Sequence, residues 1–274
     1  MADLPISHSI TSSFHLLGKF AVCYKMLCAM RRNAELNARA NPPHPADINR
    51  GEFEIYPATY GIMENSYRVW LTGILDVARM MSPEFSMFTS DEQWNLAVNF
   101  YNRICIFDAC FHAEKAFPHD VNKALFASTA YMSEDVVDRF YDDCPNPSQN
   151  IEQAKELLQK MIRLVPSCRL AIRRANLDDF EFLGLIILTF WFTDGLNMRD
   201  EIVRVGERYT QEVLRELHAH YRQHLHLTDY AARLGRLFML ISNFDRNSII
   251  DDQSEMYRLL GVVDNYAPRL RMSY

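Results

Sequence analysis

Along this chain, apolar positions recur at helical spacing far more often than they alternate. From Gly61 onward Met63, Tyr67, Trp70, Ile74, Ala78 and Met81 fall on one face, predicting an amphipathic helix over 61–81 that "SPEF" ends. The segment 91–117 differs in kind. Leu96, Ala97, Val98, Phe100, Tyr101, Ile104, Cys105, Ile106, Phe107, Ala109 and Phe111 cover nearly its whole circumference. A helix apolar all round has no side to give to water, so it is expected to be buried all round. Over 200–226, Ile202, Val205, Tyr209, Val213, Leu217 and Tyr221 lie opposite Arg204, Glu207, Arg208, Glu212 and Arg215, a pattern that suits a helix in an outer layer.

Further helices are predicted over 10–38, 133–141, 151–164, 178–193, 228–244 and about 250–263, with Thr228 as the cap of the one at 228. The prolines of "NPPHP" at 41–45 stop the first of these and favour an extended linker, so that a 15-residue connection over 46–60 should follow. Residues 118–132 lack a helical period and read as a small hairpin. In a simple four-helix bundle every helix keeps a wet face, which the segment 91–117 does not have. The prediction is therefore an all-α fold, a three-layer sandwich of about 10–12 helices with one small β-hairpin.

Length and composition sharpen this picture. At 274 residues one core is near the size at which it stops growing, and one domain over 1–274, with an ordered core at about 10–263, is expected. Hydrophobic residues at 49% and charged residues at 23% allow a sizeable core, while only nine glycines argue against a β-rich chain. The net charge of −6, with no basic run beyond Arg31-Arg32 or Arg173-Arg174, predicts no direct contact with nucleic acid. The longest apolar run, Phe182 to Phe192, is far shorter than the roughly 20 residues of a membrane span. No membrane contact is expected. The first residues lack the pattern of a secretory signal, so a reducing intracellular compartment is expected. The six cysteines, at 23, 28, 105, 110, 144 and 168 without a C-x-x-C pair, should then be thiols.

No phosphate-binding, dinucleotide-binding, serine-hydrolase or zinc-protease motif occurs. His220 and His224 lie one helical turn apart and could share a metal, but the preferred reading is a solvated helix end without one. Asp178 and Asp179 suit the start of a helix, where the macrodipole favours acids. Cys105 and Cys110 sit in the most apolar helix, which suppresses thiol reactivity. No enzyme is expected.

The stretch "VARMMSPEFSMFTSDEQWNLAVN" resembles the signature of nuclear receptor ligand-binding domains. The matching residues are Ala78-Arg79, Phe85, Phe88, Glu92-Gln93 and Leu96, with conservative changes at Arg79, Phe88 and Glu92. "LVPSCRLAIRRANLDDFEFLGLIILTFWF" is similar to the family's central helices, and "YAARLGRLFMLISNF" to its dimerisation helix. Glu181 and Arg233 stand where the family places a structural ion pair. In style the chain is closest to the divergent supplementary receptors of nematodes.

That resemblance implies a transcription-regulatory domain located in the nucleus, or shared with the cytoplasm, that dimerises with itself or another receptor through 228–244. It implies a groove for a coregulator's amphipathic helix, walled by Leu75, Gln93, Trp94 and Ala97, with Arg79 capping the partner helix's last carbonyls. Phe85 and Phe88 would only staple the two helices. Ligand-facing positions would be Met63, Tyr67, Trp70, Leu71 and Ile74 on one wall and Tyr101, Cys105, Ile106, Ala109 and His112 on the other. These apolar walls suit a fatty-acid-like or steroid-like ligand and no cofactor; alternatively Trp70 and Tyr67 fill the space, leaving an interaction scaffold without a ligand. Two departures stand out. The family's zinc-bearing DNA-binding domain is absent, and "VVDNYAPRLRMSY" carries Pro268 with no acid after Asp264 where an activation helix is expected. This implies ligand-independent or repressive action.

Overall fold

The computed structural model describes residues 15–145, 150–194 and 196–244, with side chains described as far as residue 240. Among them, in chain order, are α1 (His15–Asn37), α2 (Pro45–Arg50), β1 (Tyr56–Pro57), α3 (Tyr60–Met81), α4 (Ser90–Ala116), β2 (Ala124–Ala127) and β3 (Ala130–Met132). There follow α5 (Ile151–Ile162), α6 (Val165–Ala175), α7 (Asp179–Phe190), α8 (Asp200–Gln223) and α9 (Ala231–Phe244). The helix expected at about 250–263 and the chain end with Pro268 lie outside the described residues.

Several expectations are corrected. The connection over 46–60 is not extended throughout. Pro45 opens α2 at a position whose missing N–H leaves no bond unmade, the His44 ring accepts from the Ala46 N–H at 3.1 Å, and Gly51 at φ +75° closes the helix. The hairpin expected within 118–132 forms, β2 antiparallel to β3, and β1 joins it as a third strand on the other side of β3 in parallel, Tyr56 opposite Ala130. The short helix expected over 133–141 is a 3-10 helix over Glu134–Arg139. Residues 165–175, not read as a helix from their own spacing but lying in the stretch similar to the family's central helices, form α6, with Arg173 and Arg174 in its last turn and Asn176 at φ +49° ending it. Thr228 caps nothing; α9 begins at Ala231, whose N–H is accepted by Asp229.

Helices α4, α7 and α8 run through the middle, with α1 and α3 against one side and α6 and α9 against the other. Most of α4 is buried, as its expected all-round apolarity requires, and so is the whole run 180–190 of α7. Helix α8 was expected in an outer layer. It instead closes the edge of the middle one, touching α7 and α1, and its charged face is open because an edge also borders water.

Two buried polar clusters hold these layers in register. Tyr24 of α1 donates to Asp108 of α4 and lies 3.0 Å from His112 Nε2, while Arg31 Nη1 reaches Asp108 Oδ2 at 3.4 Å. Glu35 accepts from Ser66 Oγ of α3 at 2.6 Å and from the Ser128 and Thr129 N–H groups between β2 and β3, at 3.0 and 2.7 Å. Burial pushes the Asp108 carboxyl up, but His112, Arg31 and Tyr24 outweigh it and hold the group well below the usual carboxylate range. The second cluster centres on Arg169 of α6, which has no exposed surface. It pairs with Glu114 at 2.7 Å and donates to the Phe117, Asp120 and Lys123 carbonyls just past the end of α4.

Candidate functional site

The joint between α3 and α4 is built from short-range chemistry. Ser82 leaves the helix, Pro83–Met87 make a 3-10 turn, and Thr89 caps α4 in a capping box: its hydroxyl accepts from Glu92 N–H at 3.3 Å and Glu92 accepts from Thr89 N–H at 2.8 Å. Gln93 then ties the turn to the helix, its Nε2 donating to the Phe85 and Phe88 carbonyls, both at 3.0 Å. Arg79 completes the lock by donating to Gln93 Oε1 and to Asp76 Oδ1, each at 2.9 Å. Beneath this frame the Phe85 and Phe88 rings meet edge to face at 5.6 Å. These two side chains are buried and staple the helices.

Glu92 has a second task. Arg199, at the start of α8, grips both its oxygens at 2.6 and 3.0 Å. These hydrogen bonds, countering desolvation, hold the Glu92 carboxyl down at about 2. The joint is thereby fixed to a third helix, a link that no local sequence signal announces.

The structure sorts the five groove residues. Leu75 and Trp94 are half-buried, and Arg79 keeps 45% of its side-chain surface in water. Gln93 is buried and spent on the turn, and Ala97 has no exposed surface, so neither forms an open wall. The reason is the period of α4: positions 93 and 97 share a face, and that face turns toward the core. Two surface residues that sequence reasoning passed over are Met80, in the last turn of α3, and Met87, in the turn and 81% exposed. A methionine in so polar a setting as "SMFTS" was the available signal.

Of the ten ligand-facing candidates, Met63 is half-buried and the rest are buried. The aromatic ones pack on each other. The Tyr67 and Tyr101 rings lie 4.3 Å apart, Trp70 and Tyr101 5.4 Å, and Trp70 continues to Phe100 at 5.1 Å. His112 is engaged with Tyr24 and, at 3.4 Å, with Asp108. Leu71, Ile74, Cys105, Ile106 and Ala109 sit in the same core cluster.

At the far side of the fold, Asp178 and Glu181 form a second capping box at the start of α7. Arg233 of α9 pairs with both Glu181 oxygens, at 2.5 and 2.7 Å, and His220 Nε2 lies 2.7 Å from Asp178 Oδ2. His220 is thus buried against an acid, not a solvated helix end, and no group of His, Cys, Asp or Glu suited to a metal occurs among the described residues. The arrangement offers surfaces for binding.

Comparison with known proteins agrees with this geometry. The family model for the ligand-binding domain of nuclear hormone receptor matches residues 54–262. Two Caenorhabditis elegans relatives are nuclear hormone receptor family member nhr-12, 27% identical over 141 residues, and nhr-28, 30% identical over 76. The first match covers 49% of this chain and 30% of the relative, the second 28% and 17%. The chain thus spans less than a third of the length of either relative. The Ultraspiracle ligand binding domain from Drosophila melanogaster has the same fold, with a TM-score of 0.57 and 14% identity over 90% of each chain. With the family model matching most of its length, this chain belongs to the nuclear hormone receptor ligand-binding domain family.

Proposed function

We propose that the chain regulates transcription from the nucleus by docking the amphipathic helix of a coregulator at the joint of α3 and α4. The observation that carries this reading is Arg79. Asp76 and Gln93 pin its guanidinium in place while almost half of the side chain stays in water, beside half-buried Leu75 and Trp94 and exposed Met80. A fixed cation at the edge of an apolar strip suits the carbonyl end of a short helix, with apolar anchors one turn apart lying on Leu75 and Trp94. The expected effect of Arg79→Ala is about fivefold weaker binding of a fluorescent peptide with leucines at i, i+3 and i+4, the worth of one charge–dipole contact. Unchanged affinity in a folded variant would remove the groove from the function.

Dimerisation, homotypic or with another receptor, is assigned to 228–244, where Phe238 and Met239 of α9 are exposed and Arg233 anchors the helix to α7. A fatty-acid-like or steroid-like ligand would lie between the Tyr67 and Tyr101 walls, and no cofactor is invoked. A second reading, a scaffold with a filled core, is favoured by one feature: Tyr67, Trp70 and Tyr101 already pack on one another where that ligand would sit. Native mass spectrometry separates the two. A stoichiometric lipid-sized adduct released on denaturation supports a ligand, and a clean apo mass from several expression hosts supports the scaffold.

A further inference from the structure

Helix α1 packs one face against α3, α7 and α8, and its outer face carries an apolar row. Val22, Met26 and Met30 follow one another a turn apart and keep 55%, 53% and 50% of their surface exposed. Exposed apolar side chains scattered singly are ordinary, but three stacked on one helix form a continuous strip about 12 Å long, at 1.5 Å per residue. Two of the three are methionines, whose unbranched side chains adapt to the surface of a partner.

The charges around the strip have one sign. Exposed Lys19 heads the row one turn before Val22, and exposed Lys25 and half-buried Arg32 run along one edge. From His15 to Ala34 the helix has no acidic residue, although the whole chain carries a net charge of −6. Nearby carboxylates are committed elsewhere. Glu216 of α8 accepts from the Leu16 and Leu17 N–H groups, both at 2.8 Å, Asp108 holds Tyr24 and Arg31, and Glu35 holds Ser66, Ser128 and Thr129.

A short helix of acidic and apolar residues complements this face, with its apolar anchors on the row and its carboxylates against the cations. Nucleic acid would leave the apolar row unused and meet a chain that is negative as a whole. A membrane surface would find no Trp, Phe or Leu among the exposed residues of α1 to anchor it. We infer that the outer face of α1 is a docking surface for an acidic amphipathic helix of a partner protein. It stands whether or not the joint of α3 and α4 binds a coregulator, since the two surfaces share no residue.

The probe is a fluorescein-labelled peptide with leucines at i, i+4 and i+7 in an alanine and glutamate background, alongside a twin with lysine for each glutamate. Each is titrated into the full chain labelled at methionine methyls. The expected result is saturable binding of the acidic peptide, with shifts led by Met26 and Met30 while Met80 and Met87 stay unmoved. The twin should leave Met26 and Met30 unmoved. Met26→Glu should weaken the acidic peptide about tenfold or more, by setting a like charge beneath its apolar row, and Lys19→Glu about fivefold. Both positions are exposed, where a substitution leaves the fold intact. Arg79→Ala should leave this binding unchanged, which separates it from the test of the joint. Shifts led by Met80 and Met87 would place the peptide at the joint and overturn the inference. So would a twin that moves Met26 and Met30 with equal affinity, unchanged affinity in both α1 variants, or no saturable binding up to about 1 mM. Capture of the chain by phosphatidylserine vesicles, lost in Lys19→Glu, with no binding of the acidic peptide, would reassign the face to lipid and equally overturn it.

Discussion

Glu92 shows how much one side chain carries in this protein. It closes the capping box of α4 and receives the Arg199 guanidinium across the fold. Replacing it with glutamine keeps a cap acceptor but removes the charge, and should lower stability by about 1 kcal/mol, limited because Arg199 is half in solvent and screening weakens the pair. Urea melts of Glu92→Gln measure this. The pH dependence has a defined sign. A carboxyl whose value is depressed to about 2 on folding adds stability that is present above the unfolded value of about 4.3 and lost as the pH falls toward 2. Between pH 5 and 2 the natural protein should therefore lose stability faster than Glu92→Gln. Parallel curves would show that the pair contributes nothing. Glu92 itself was readable as a signature residue beside Gln93, but its partner lies 107 positions away, beyond any local pattern.

Among the helices, the close approach of α1 and α3 depends on Gly73. A Cβ there would come within 2.3 Å of Leu27 Cδ1, and Leu27 is itself buried with little room to turn. Alanine favours a helix over glycine by about 1 kcal/mol, while forcing a methyl into a packed core costs about 1–3 kcal/mol. Gly73→Ala should thus be net destabilising, by about 1 kcal/mol, in thermal or urea unfolding; a stabilised variant would mean that α1 shifts freely on α3. Helices α3, α4, α7 and α8 were legible because their faces repeat over several turns. Strand β1 was not, being two residues long and paired in parallel with a strand more than seventy positions later. Helix α6 was legible only through the family resemblance; that Arg169 sits at the centre of its core face was not, because a hydrophobic pattern scores an arginine as solvent-facing.

The assembly of layers rests on buried charge as well as apolar packing. Asp108 neutralises Arg31, and both side chains are almost fully buried. Asp108→Ala would strand that guanidinium and should cost about 3–5 kcal/mol, measured as a fall in the urea midpoint. A loss below 1 kcal/mol would mean that Glu35 alone balances Arg31. The chain's own order of apolar and polar residues set the helical class, the buried centre along 91–117, the capped joint and the family signature, because those are written within a turn or two. Long-range packing settled the rest. It turned Gln93 and Ala97 inward, closed Tyr67 on Tyr101, gave Glu92 and Asp108 their partners, and left space between Ile187 and Tyr209. Which side of a helix meets a neighbour, a cavity or water is fixed by every element packed against it, and no short stretch of sequence contains that information.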